Sequence, residues 1–222
     1  MRFSTRGCSI FLSLLLFFSL VGCRDSFDAK AYTQAVLDLN FQGDSTLATQ
    51  VSKDANKEEL SLQYQEFIAD FVEQNITGDL LIGDIKEAQF KELTGKIFAL
   101  MRYNVTEAEK TGGDTYKVLV EIWPANTFIR FKEYTQADAK KLQEKKESGE
   151  YVGTAEEVNR QILQDATNHA YELLYFAYQE TEYGEKETVT LEITKNNDTN
   201  YTIIQEDMNE LMIKILQLDE MN

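Results

Sequence analysis

The chain has 222 residues, with 22 Lys and Arg against 38 Asp and Glu and a formal net charge of −16. A surface of that sign repels nucleic acid and anionic headgroups, which excludes nucleic-acid binding. The length allows one sizeable core.

Arg2 and Arg6 precede an apolar run from Ile10 to Val21, broken only by Ser13 and Ser19. The run is too short to cross about 30 Å of hydrocarbon as a helix, so it reads as a cleaved export signal over residues 1–22. Leu20-Val21-Gly22-Cys23 closes it with small residues before a thiol, the pattern of a bacterial lipoprotein signal. Gly22 leaves room for a peptidase, and the Cys23 sulfur is the nucleophile that takes a diacylglycerol. The partner implied is membrane lipid, held through acylated Cys23 on the face of the membrane away from the cytoplasm, because two acyl chains anchor without a basic patch. Cys8 leaves with the signal, so the processed chain has no thiol left for a disulfide, a thiolate metal site or a nucleophile. The signal takes two arginines and no acid with it, which leaves 20 bases against 38 acids.

Residues 23–27 then form a short tether, and residues 28–222 are expected to fold as a single globular domain. Tyr32, Val36 and Leu39 recur at helical spacing ahead of Gly43, and residues 57–76 draw an apolar stripe through Leu60, Tyr64, Phe67, Ile68 and Phe71. A third helix is predicted over 85–101, through Phe90, Leu93, Ile97 and Met101. The period then falls to two. Tyr103 and Val105, a Thr111-Gly112-Gly113-Asp114 turn, and Tyr116, Val118, Val120 and Ile122 spell a β-hairpin ended by Pro124, the single proline.

Residues 136–147 read as an exposed helix with Thr135 as its N-cap, and Thr154-Ala155-Glu156-Glu157 as a capping box for a long helix ended by Gly184. Val189, Leu191 and Ile193 lead through an Asn-rich turn to Tyr201 and Ile203, a second hairpin. Asp207 is a cap candidate for a closing helix. The expected fold class is α+β, about four antiparallel strands packed against helices in the order ααα-ββ-αα-ββ-α.

That element order is similar to the cystatin-like and NTF2-like folds. Val118-Leu119-Val120-Glu121-Ile122-Trp123-Pro124 with Phe128, and Tyr32 to Asp38 soon after the cysteine, resemble stretches of a family of uncharacterised lipoproteins from Gram-positive bacteria. The resemblance implies a location and a fold and transfers no catalytic residue.

Catalytic signatures are thin. His169, the single histidine, would have to serve any triad or zinc site, and it reads as a packing or surface residue at the border of the long helix's apolar stripe. Carboxylate pairs such as Asp165 with Glu172, or Glu156 with Glu157, are expected by chance among 38 acids, and no P-loop, G-x-S-x-G or H-E-x-x-H pattern occurs. Asn196, Asp198, Asn200 and Asp207 approach a calcium-loop spacing, but Tyr201 stands where the loop needs glycine, so a polar turn is the reading. No metal, cofactor or catalytic residue is assigned.

Aromatic residues carry the one functional expectation. Trp123, Tyr171, Tyr175 and Phe176 are candidates to line a ligand cavity between sheet and helix, because Tyr and Trp join an apolar body to a polar tip. The function expected is a non-enzymatic membrane-tethered module that binds a small ligand, a peptide or an envelope protein. The alternative is a hydrolase using a carboxylate pair in a sheet-helix cleft.

Overall fold

The computed structural model describes residues 18–19, 27–52, 55–78, 80, 82–196 and 200–221. Cys8, Cys23 and the segment Leu20 to Gly22 lie outside the described residues.

Helix α1 (Ala29–Gln42) starts where the Asp28 side chain accepts the Ala31 N–H and stops at Gly43, whose left-handed backbone turns its N–H onto the Asp38 and Leu39 carbonyls. Besides the expected Tyr32, Val36 and Leu39, α1 also buries Ala35, Leu37 and Phe41. A helix apolar nearly all round must be covered on every side. The short helix α2 (Thr46–Val51) follows it, and then α3 (Lys57–Val72), capped by Asn56. At the end of α3 the backbone widens into a π-turn, Glu73–Thr77. Polar side chains take helical carbonyls there: Asn75 donates to Phe71 O at 3.0 Å and Thr77 to Val72 O at 3.2 Å. Helix α4 (Asp84–Phe98) buries Phe90, Leu93, Ile97 and Phe98. It ends three residues before the expected Met101, which is buried in the turn that leads to the sheet.

Strands β2 (Arg102–Gly112) and β3 (Thr115–Trp123) form the first hairpin, turning at Gly113 with φ 51°. Strands β4 (Glu187–Lys195) and β5 (Asn200–Ile203) form the second. A two-residue strand, β1 (Phe18–Ser19), pairs with β5 inside the expected signal, and the antiparallel order is β1-β5-β4-β3-β2. Val118, Val120, Ile122, Val189, Leu191 and Ile193 turn to one face and are buried. Lys117, Leu119, Glu121 and Trp123 alternate to the other face of β3. Asn200 O accepts the Asn196 N–H within the hairpin, so Tyr201 O points to the outer edge, where it accepts the Tyr32 hydroxyl at 3.0 Å.

After Pro124, Ala125 bridges to Tyr183, and α5 (Thr127–Glu147) begins at once. The helix expected at residue 136 therefore starts nine residues earlier, and Thr135 is no cap: its hydroxyl donates to Lys132 O from inside the helix. Phe128 and Phe131 are the reason, because they seat this first part of α5 in the core. The capping box at Thr154 and Glu157 opens α6 (Ala155–Gln179) as expected. α6 ends before Gly184, whose N–H is bound instead to Pro124 O at 2.8 Å. Helix α7 (Gln205–Leu216) starts after Ile204, ahead of Asp207, and a 3₁₀ turn, Leu218–Met221, closes the described chain. Asp207 is no cap either: it accepts the Glu192 N–H at 2.7 Å and ties α7 to β4.

Between sheet and helices lies a ring cluster. Phe98 meets Phe71 and Phe67 edge-on at 5.0 and 5.5 Å, and Phe71 reaches Phe128 at 5.3 Å. It joins α3, α4 and α5 in one core, and such pairs add about 0.5–1.5 kcal/mol each beyond their burial.

Candidate functional site

A cavity of about 270 Å³ opens beside the π-turn. The extra residue in the helical turn leaves Thr77 buried and brings Gly78 to the surface, and the chain returns through Leu80 and Ile82 to α4. The recess has Ala69, Val72, Leu80 and Ile82 as apolar lining, with Glu73 and Glu87 adding carboxylates. Glu87 is paired with Lys91 at 2.5 Å, whereas Glu73 has no ion-pair partner among the described residues. Gly78 stands at φ 32°, ψ −104°, a backbone region rarely adopted by side-chain-bearing residues. π-turns recur at functional sites because they interrupt the helical ladder and leave room beside it. This arrangement suits a small ligand with an apolar body and a cationic head, the carboxylate supplying the charge partner.

The aromatic candidates lie elsewhere. Tyr171 is half-buried with its ring edge-on to Phe90 of α4 at 5.6 Å, Tyr175 lies against Tyr178, and Tyr175 and Phe176 are 41% and 50% exposed. Trp123 ends β3 opposite Arg102, on the sheet face away from the core. The four residues therefore fall on two surfaces, three on α6 and one on the sheet.

His169 joins the two long helices, its Nδ1 3.0 and 3.1 Å from the Asp138 carboxylate oxygens. A histidine held by a carboxylate is two of the three members of a triad, but among the described residues no hydroxyl or thiol is hydrogen-bonded to its ring. Of the other carboxylates, Asp165 accepts the Tyr151 hydroxyl at 2.8 Å, burial and that bond raising the phenol to about 12. Glu157 serves the α6 cap. Asn196 and Asn200 close the β4–β5 hairpin, Asp198 lies outside the described residues, and Asp207 is spent on Glu192. Among the described residues no group of three or more His, Cys, Asp or Glu side chains is placed to hold a metal ion.

A second assembly of note stands where the chain enters the domain. Phe27 stacks on Tyr201 at 3.7 Å and 6°, and meets Tyr116 edge-on at 5.2 Å and Tyr32 at 5.4 Å. Beside these rings Asp114 lies 3.6 Å from the Lys110 ammonium and 3.5 Å from that of Lys195. Lys110 and Lys195 also lie 5.6 and 5.9 Å from the Tyr116 and Tyr201 ring centroids. The periodicity of the sequence foretold the strands but not that their tips would meet at Phe27.

These features define an α+β protein whose antiparallel sheet is covered by helices on one face. No protein-family model matches the chain, and no curated protein matches it. Its fold is similar to the crystal structure of ycdA from Bacillus subtilis subsp. subtilis strain 168, titled as a candidate lipoprotein, at a TM-score of 0.48 and 16% identity. The match covers 85% of this chain and 55% of that one, so this chain spans about half the length of its neighbour.

Proposed function

We propose that this chain is a lipid-anchored protein on the outer side of the cytoplasmic membrane, where it works as a non-enzymatic binding module. One observation carries the reading: the Leu20-Val21-Gly22-Cys23 pattern is followed four residues later by Phe27, a side chain built into the aromatic end of the domain. A cysteine so close to the fold is an anchor point with almost no leash. Among the described residues no helix is long and apolar enough to cross a membrane, and the acyl chains supply the attachment.

Cys23→Ser in the producing cell tests the anchor. The variant is expected in the soluble fraction or the medium, and membrane retention equal to wild type would overturn the reading.

The π-turn recess is the binding site proposed for this module, with a small amine or cationic peptide end as ligand and Glu73 as its charge partner. Trp123, Tyr171, Tyr175 and Phe176 offer two further surfaces for a protein partner. Thermal unfolding of residues 24–222 against amines, amino acids, peptides, glycans and lipids reads the site directly, because a ligand selective for the folded state stabilises it by RT ln(1 + [L]/Kd). A saturable rise with an amine that Glu73→Gln removes is the expected result. A flat panel, or a rise indifferent to that substitution, counts against the recess.

A further inference from the structure

The π-turn recess draws its walls from successive stretches of chain: Ala69 and Val72 from α3, Glu73 from the turn itself, Leu80 and Ile82 from the connection, and Glu87 from α4. Its two carboxylates therefore come from different elements, and the apolar lining comes from the elements around them. At about 270 Å³ the recess is smaller than the roughly 300–1,000 Å³ that takes a drug-sized molecule, so a short ligand fills it. Residues 73–87 hold four acids, Glu73, Asp79, Asp84 and Glu87, against one base, Lys86, whose ammonium donates to Asn168 of α6 at 2.7 Å. The cation seated on Glu87 is that of Lys91, one turn along the same helix at 2.5 Å. That pair leaves 37% of the Lys91 and 44% of the Glu87 side chain exposed. A half-exposed i,i+4 pair contributes little, so a ligand ammonium can take the place of Lys91.

We propose that the recess selects a short linear diamine over a monoamine, with one ammonium on Glu73, the other on Glu87, and the methylene stem against Ala69, Val72, Leu80 and Ile82. This rests on the recess as the amine site proposed above, and it adds a second charge partner and a displaced lysine. A monoamine satisfies Glu73 and leaves the Glu87–Lys91 pair intact. A diamine engages both carboxylates and frees Lys91 to solvent. One half-exposed ion pair is worth about fivefold in affinity, which loss of the Lys91 pair cuts to about threefold. Two identical ends double the affinity of any diamine by statistics alone. The diamine should therefore bind about sixfold tighter than a monoamine of the same chain length.

Calorimetric titration of the full chain in neutral detergent tests this with two matched pairs, putrescine against butylamine and cadaverine against pentylamine. In at least one pair the diamine is expected to show the sixfold advantage. Glu87→Gln should reduce that advantage to the statistical twofold and leave the monoamine affinity unchanged. Lys91→Gln should raise it to about tenfold, because the ligand then displaces no internal cation, again with the monoamine unchanged. An advantage of twofold or less in both pairs, or one that survives Glu87→Gln, overturns the diamine reading. The two proposals fail separately. Amines that do not bind, or whose binding ignores Glu73→Gln, sink the recess as an amine site, while a monoamine held through Glu73 with no diamine advantage sinks only the second contact.

Discussion

Gly43 tests the packing of α1 against α3 more sharply than any core truncation. Its φ of 65° lies in the left-handed region, and a Cβ there would stand 2.7 Å from Cε1 and 2.9 Å from Cδ1 of Tyr64. Two separable costs follow for Gly43→Ala. The backbone conformation penalises any L side chain by about 1–2 kcal/mol. Forcing a methyl against a packed ring adds about 1–3 kcal/mol. The sum, about 3 kcal/mol, is read by urea unfolding of residues 24–222. With a denaturant slope at the upper end of the usual range, about 3 kcal/mol/M, the midpoint falls by about 1 M. Repeating the substitution in a Tyr64→Ala background removes the ring and leaves the backbone cost alone, so the penalty should drop to about 1–2 kcal/mol. An identical penalty in both backgrounds would refute the ring contact. A penalty below about 0.5 kcal/mol in the wild-type background would refute the left-handed stop itself.

Gly95, in the middle of α4, makes the opposite case beside the same ring: a Cβ there meets only the Tyr64 hydroxyl, at 3.7 Å. Gly95→Ala should stabilise the domain by up to about 1 kcal/mol in the same unfolding assay, since helix propensity gains and nothing clashes. Thr154→Ala should cost about 1 kcal/mol by removing the α6 cap. The partner of that cap, Glu157, is held below its ordinary carboxylate range by the Thr154 N–H and then the Thr154 hydroxyl, so its contribution is present above the unfolded-state value and lost as pH falls through the lowered one. Unfolding series across the acid range should therefore show the Thr154→Ala penalty shrinking toward low pH. Tyr103→Phe removes a phenol that donates to Asp38 at 2.7 Å and accepts from Gln42 at 3.1 Å, and should cost about 1–2 kcal/mol in urea, with β2 amides near Tyr103 losing hydrogen-exchange protection first.

Elements whose pattern was set by their own residues were legible in the sequence. α1, α3, α4 and the two hairpins carry uninterrupted periods of 3.6 or 2, and the Thr154 capping box needs only four residues to be recognised. What escaped was decided by distant partners. α5 starts at Thr127 because Phe128 and Phe131 find the α3–α4 core, although Pro124 locally reads only as the end of a strand. Asp207 looked like a cap, yet its carboxylate is worth more on the Glu192 N–H of a neighbouring strand than on its own helix. The π-turn recess was hidden because its widening depends on Asn75 and Thr77 capturing carbonyls of α3, which no hydrophobic spacing records. Trp123, Tyr171, Tyr175 and Phe176 were assigned to the right strand and helix, but local spacing does not say which surface a ring will share.

The Tyr32 phenol sits on the outward carbonyl of Tyr201, at the sheet edge where β1 pairs. Cleavage ahead of Cys23 would strip β1 away and bare a strand edge just as the chain reaches a crowded membrane surface. That edge is four residues long, and one of its acceptors is already taken by a side chain from α1. On the proposed anchor, maturation would thus unveil a border that offers little purchase to a second copy, and neighbouring molecules would stand side by side without zipping their sheets together.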